Sequence, residues 1–198
     1  MRPRLRFSPW AWAKLLFLRD RGPTEIAAFG ISPRDDLLFV EDLQLPRQRC
    51  SPLTAALEDV AVADLFDAQV DKGRSPAQFA RIWVHTHPGD SAQPSGTDER
   101  TFERVFGACD WAVMFILARG GDAYARLRLQ CGVAVSLRLR TEIDYSRPFA
   151  GSDFERWEQE YQTAVVPDAA VRLSDDRPSR LFDRLGADDT DSLADLWA

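Results

Sequence analysis

Apolar positions first recur at helical spacing. Ser8-Pro9 supplies an N-cap and a proline at the first helical position, and Trp10, Ala13, Leu16 and Phe17 then predict a helix to about Arg19, ended by Gly22-Pro23. Two apolar segments follow, Thr24 to Ile31 and Leu37 to Leu45, which read as strands joined by a polar turn at Ser32 to Asp36. Between Pro46 and Pro76 the pattern is irregular; Val62 to Val70 predicts a short helix, and the flanking pieces predict a surface loop bordering a groove. Arg81 to Val84 is a compact apolar run that places His85 at the end of a buried strand. Thr97 to Phe106 reads as a helix capped by Ser95 or Thr97, with Phe102, Val105 and Phe106 on one face. Ala112 to Leu117 reads as a core strand. Ala123 to Gln130 and Val133 to Arg140 alternate around Cys131-Gly132 and predict a hairpin. Asp153 to Thr163 carries Phe154, Trp157 and Tyr161 at helical spacing.

This order of helix, strands, helix, strands, helix predicts an α/β (α+β) domain over residues 1–166, a mixed sheet with helices packed on it. From 167 to 198 the composition turns acidic, with eight aspartates interspersed with four arginines from Asp168 onward. Two apolar groups in this C-terminal tail, Leu181-Phe182 with Leu185 and Leu193 with Leu196-Trp197, are spaced like docking faces.

With 198 residues and 45% hydrophobic content, the chain can bury a sizeable core. A formal net charge of -6 argues against nucleic acid as a partner, with Arg2, Arg4 and Arg6 a weak local exception. No stretch approaches the length of a transmembrane span, so no membrane partner is expected. Cys50, Cys109 and Cys131 are odd in number and widely spaced, which predicts buried, inert thiols and a cytoplasmic setting. Nothing sets an oligomeric state.

The chemistry concentrates at His85-Thr86-His87-Pro88, which holds the chain's only two histidines. Their i, i+2 spacing turns both to one side of an extended segment. With Asp98 they make three of the four ligands of a tetrahedral catalytic zinc, leaving one position open. Such a zinc makes water acidic near neutral pH. A carboxylate that is not a ligand must then carry the proton, and Glu25 is the candidate, an acid in an apolar segment where burial raises its pKa. Ser95, one turn before Asp98, is the candidate donor to an oxyanion.

Together Pro23-Thr24-Glu25 with Gly30, His85-Thr86-His87-Pro88 and Pro94-Ser95-Gly96-Thr97-Asp98 resemble the JAMM (JAB/MPN+) metalloprotease family, whose pattern is an upstream glutamate, then HxHP, six residues, S, two residues, D. The wording is most similar to small bacterial JAB proteins that accompany ubiquitin-like conjugation enzymes. The resemblance implies a cytidine-deaminase-like JAB/MPN fold with a mostly antiparallel sheet, and one Zn2+ bound by His85, His87 and Asp98. It also implies Glu25 as general acid/base, Ser95 as oxyanion stabiliser, and hydrolysis of the bond after the C-terminal glycine of a ubiquitin-like modifier. Activating and conjugating enzymes would be its partners. Residues 99–122 contain no histidine and only Cys109, so a second zinc and strict linkage selectivity are not expected.

Rival readings use the same residues. Ser95 and Asp98 have capping-box spacing and, alone, would only start a helix. A triad of Ser95, one histidine and Asp98 lacks the GxSxG elbow and leaves the second histidine without a role; HExxH is absent. A catalytically silent MPN-type scaffold would be expected to lack part of the ligand set, and a RadC-like DNA-associated protein shares much of the motif. For Trp83 beside the site, core packing competes with lining a channel.

Overall fold

A computed structural model describes residues 3–149, 151 and 153–167. Ser8 Oγ accepts from the Ala11 N–H at 3.0 Å and Pro9 fixes the first helical φ, so the chain turns from β1 (Arg4–Phe7) into α1 (Pro9–Arg21). There follow β2 (Ala27–Ile31), β3 (Phe39–Val40), β4 (Asp42–Gln44), β5 (Gln48–Ser51), β6 (Thr54–Leu57), α2 (Asp59–Asp71), α3 (Pro76–Phe79) and β7 (Ile82–His87). The rest comprises α4 (Gly96–Phe106), β8 (Trp111–Ala118), β9 (Ala123–Gln130), β10 (Ala134–Arg138), β11 (Arg140–Ile143), α5 (Phe154–Ala164) and β12 (Val165–Pro167).

The central sheet runs β10-β9-β8-β7-β2-β4, and only its β7–β8 pair is parallel. The class is therefore the expected one, α/β with a mixed, mostly antiparallel sheet and helices on it. Alternation along the strands sorts side chains between two cores. Ile82 and Val84 of β7 and Val113, Phe115 and Leu117 of β8 face Leu15 and Leu18 of α1. Trp83 of β7 and Met114 and Ile116 of β8 face Phe102 and Phe106 of α4. His85 and His87, in phase with Trp83, fall on the α4 side.

Several expectations need correction. On α1 the deepest residues are Ala11, Lys14, Leu15 and Leu18, one position off the predicted stripe, because α5 covers the other side: Trp157 packs on Trp10 and Phe17 with ring centroids 5.0 and 5.7 Å apart. Buried Lys14 fits because its Nζ reaches Glu160 at 2.5 Å and the Leu43 carbonyl at 2.7 Å. The segment Leu37 to Leu45 is not one strand. At Glu41 the chain changes sheets, β3 pairing with β1 and β4 with β2. The supposed loop after Pro46 contains the β5–β6 hairpin, and the short helix beyond it extends to Asp59–Asp71. On α4, Val105 is 41% exposed and the buried stripe is Asp98, Phe102 and Phe106. The thiols are free, but only Cys50 is buried; Cys131 is exposed in the β9–β10 turn, where Gly132 has φ +84°.

Pro167 pairs beside Cys50 as the end of β12, and residues 168–198, with the two apolar groups of the expected acidic tail, lie outside the described residues. Arg4 and Arg6 are ion-paired to Glu142 and Asp144 at 2.7 and 2.8 Å; Arg2 also lies outside the described residues. Among the described residues no helix is long and apolar enough to cross a membrane.

Candidate metal centre

The register of β7 carries the histidines to the carboxyl end of a central strand flanked by β2 and β8, with His85 opposite Ala27. His85 is 1% exposed and stacks on Trp83, with ring centroids 4.3 Å apart and planes at 28°. Trp83 is thus a core residue that also holds the imidazole in place. Asp98 arrives from the first turn of α4. The capping box is present: Ser95 Oγ accepts from the Asp98 N–H at 3.1 Å and Asp98 Oδ2 accepts from the Ser95 N–H at 2.6 Å. The same carboxylate faces both rings, Oδ1 lying 3.3 Å from His85 Nε2 and Oδ2 3.5 Å from His87 Nε2. The capping reading of Ser95 and Asp98 is therefore compatible with Asp98 as a ligand, since the cap is what aims the carboxylate.

The donor atoms of His85, His87 and Asp98 lie within 4.8 Å of one another. His85 Nε2 and His87 Nε2 are both buried with no hydrogen-bond partner, the 3.3 Å approach of Asp98 to His85 being misdirected for one. Two buried nitrogens aimed at one carboxylate and left unpaired are costly unless something else takes their lone pairs. His87 Nδ1 donates to the Ser91 carbonyl at 2.9 Å, which fixes the neutral tautomer with its lone pair on Nε2. Two imidazoles and a carboxylate with an open fourth side fit a tetrahedral zinc. This is a buried cluster able to hold a metal ion.

The electrostatics agree. Burial pushes the His85 imidazole toward its neutral form, against the pull of Asp98. At Asp98 burial is outweighed by His85, His87 and Ser95, which hold the carboxyl well below the usual carboxylate range. At His87 burial is outweighed by Asp98, the Ser91 carbonyl and Glu25, and its affinity for protons rises. A set that attracts a cation in this way suits a divalent ion, for which protons compete.

Glu25 lies beside the cluster, its Oε1 3.7 Å from His87 Nε2. It is not within a strand as expected, but precedes β2 by two residues in a segment tied on three sides. The Glu25 N–H donates to the Ser51 carbonyl at 2.9 Å, and the Ile26 N–H donates to Thr86 Oγ1 at 3.1 Å. At Ala27, Gln48 accepts from the N–H and donates to the carbonyl, both at 2.8 Å. Burial pushes the Glu25 carboxyl up to about 7, with His87 opposing and Asp98 adding to the rise.

Gln48, fully buried, was not read from the sequence. It replaces a missing strand: β4 pairs with β2 only from Phe29 onward, and without Gln48 the outward N–H and C=O of Ala27 would be orphaned. Its signal was hidden because Gln-Arg-Cys-Ser lacks the apolar alternation of a strand. Gln48→Leu is expected to destabilise the protein by roughly 2 to 4 kcal/mol, two buried backbone groups being left unpaired. Urea denaturation of the metal-free protein measures this.

A groove of about 300 Å³ opens at the cluster. Its floor includes Glu25, Trp83, His85 and Asp98; one wall is β6, and the other is α4 with Thr97, Thr101, Arg104 and Val105. The wall expected between residues 46 and 80 is thus present as the hairpin. Ser95 is exposed at the mouth of α4, and its hydroxyl hydrogen is not used by the cap, where Oγ is the acceptor.

No family model matches the chain, and no curated protein matches it. Among the 100 solved chains that it resembles is one described as "JAMM: A Metalloprotease-like Zinc Site in the Proteasome and Signalosome". That chain is similar at 17% identity and a TM-score of 0.36, over 71% of this chain and 99% of that one. The chemistry of the site rests on its own side chains.

Proposed function

We propose that the protein is a zinc-dependent peptidase or isopeptidase of the JAMM type, with the JAB/MPN fold that its motif resemblance implies. On this reading it releases or matures a ubiquitin-like modifier by hydrolysing the bond after its C-terminal glycine. The observation that carries it is the buried His85, His87 and Asp98 cluster with unpaired ring nitrogens, beside a carboxylate that is not a ligand and at the floor of a groove.

His85, His87 and Asp98 would hold one zinc, whose Lewis acidity polarises the scissile carbonyl and acidifies water near neutral pH. Glu25 takes a proton from the attacking water onto its carboxylate as the water oxygen adds to the carbonyl carbon. It then passes that proton to the amine nitrogen as the C–N bond breaks, so the base is regenerated. The Ser95 O–H donates to the oxygen that gains charge. Among the described residues β6 pairs only with β5, and its other edge would take an extended peptide as an added strand beside the site. The free thiols suit a reducing compartment, and we place the protein in the cytoplasm with the activating and conjugating enzymes of its modifier.

The test is cleavage of a linear fusion of a ubiquitin-like protein by the zinc-loaded full chain. Cleavage after the terminal glycine that disappears in His87→Ala supports the reading; full cleavage by His87→Ala protein refutes it.

A further inference from the structure

The two walls of the groove differ in what they can read. The β6 wall, Thr54 to Leu57, offers small or aliphatic side chains and a strand edge, which engages a peptide backbone whatever its sequence. Side-chain discrimination falls to α4, whose single cation in the groove is Arg104. Arg104 is exposed, and among the described residues it has no ion pair and no hydrogen bond. The neighbouring acids of α4 are already engaged: Glu99 pairs with Arg126 at 2.7 Å and Glu103 with Arg128 at 2.5 Å, both directed toward β9. Along its own helix Arg104 has Arg100, Thr101, Gly107 and Ala108 at the i±3 and i±4 positions, so none offers a carboxylate. The last turn of a helix favours a cation, and Arg104 differs from other arginines unpaired among the described residues, such as Arg34 and Arg140, in lining the groove at the cluster.

We propose that Arg104 is a specificity-determining residue that receives an acidic side chain of the bound peptide. This rests on reading the groove as a peptide site. Arg104 lies six residues beyond Asp98, or about 9 Å along the helix axis. An extended peptide covers that distance in about three residues, so the acidic residue sits about three positions from the scissile bond. Asp59, in the first turn of α2, also lines the groove and disfavours a carboxylate placed beside it, so the position next to Arg104 is the one that accepts an acid.

The test uses the zinc-loaded full chain carrying Glu25→Gln and fluorescein-labelled twelve-residue peptides built from glycine, alanine and leucine. A single aspartate or lysine is moved along the peptide and binding is followed by anisotropy. The expected result is a preference of about 3- to 10-fold for aspartate over lysine at one position. Arg104→Glu reverses the preference, and Arg104→Gln, which keeps the length of the side chain, abolishes it. Equal binding of the two series, no binding of any peptide, or an unchanged preference in Arg104→Glu overturns the proposal. Protein with Glu25 intact is then given the same peptides. If it shows the aspartate preference but cleaves none of them, the peptidase reading fails while the assignment of Arg104 stands.

Discussion

Glu25→Gln is expected to slow peptide hydrolysis by about 10² to 10⁴-fold while leaving the metal content of the protein unchanged. The carboxylate is 3.7 Å from His87 Nε2 and lies outside the His85, His87 and Asp98 cluster, so on the proposed reading the substitution removes the proton carrier and no ligand. Its backbone is fixed through Ser51, Thr86 and Gln48, which makes a change in the ligand geometry an unsuitable explanation for the loss. The same residue has a stability signature of opposite sign. Its folded-state pKa is raised by burial from about 4.5 to about 7, so the folded protein disfavours the ionised form. In chelated protein, stability therefore falls as pH rises from about 4.5 through about 7. Glutamine does not titrate. At pH 8 the variant is expected to be more stable than the wild type by about 1 to 3 kcal/mol, and at pH 4 the difference disappears. Denaturation at the two pH values measures it. A variant that loses activity and is also less stable at pH 8 would mark Glu25 as a structural residue. In the active protein the rate should fall with decreasing pH as Glu25 takes up its proton, with a midpoint at or below 7 because a bound cation favours the ionised form.

Removal of the metal is expected to have the second large effect. Chelation, His85→Ala or His87→Ala should each reduce hydrolysis by at least 10³-fold, the carbonyl and the water losing their common electrophile. A ligand that binds only the folded state raises its melting temperature, so zinc should stabilise the wild type. His85→Ala should abolish that stabilisation. In the absence of metal His85→Ala removes two unpaired buried nitrogens but leaves a cavity at a fully buried position and takes away the stacking on Trp83 and a partner of Asp98, so a net loss of stability is expected. Asp98→Ala should destabilise the metal-free protein by a different route, about 0.5 to 2 kcal/mol through loss of the capping box. The contribution of Asp98 has the usual sign for a carboxyl with a lowered pKa: present above its unfolded value and lost as pH falls through the folded one. Thermal melts with and without zinc separate the two variants.

The His85, His87 and Asp98 cluster of the candidate site was legible in the sequence because its parts are local. The i, i+2 histidines needed only the alternation of one strand, and Ser95 with Asp98 needed only the first turn of one helix. Glu25 was legible as a carboxylate among apolar residues, although the strand assigned to it begins two residues later. What could not be read is long-range. β1 and β11 are short charged strands whose pairing depends on partners 136 residues apart, as in Arg4 opposite Arg140. The β5–β6 hairpin turns only Cys50, Ala55 and Leu57 inward, a face too short and too interrupted by Gln48 to be read as alternation, and the side chain of Gln48 ties it to β2. Likewise, the buried stripe of α4 included Asp98 and excluded Val105 because the groove lies on one side of the helix. Hydrophobic periodicity predicts which face is covered, not that a polar cluster shares it.

The central claim is that His85, His87 and Asp98 hold one zinc ion. Its most direct test is an anomalous difference map recorded at the zinc absorption edge from crystals of the zinc-loaded protein. A single strong peak is expected within ligation distance of both Nε2 atoms and the Asp98 carboxylate, with Glu25 outside the coordination sphere. A map with no peak between these three residues, or with zinc ligated by Glu25 or a cysteine in their place, would contradict it.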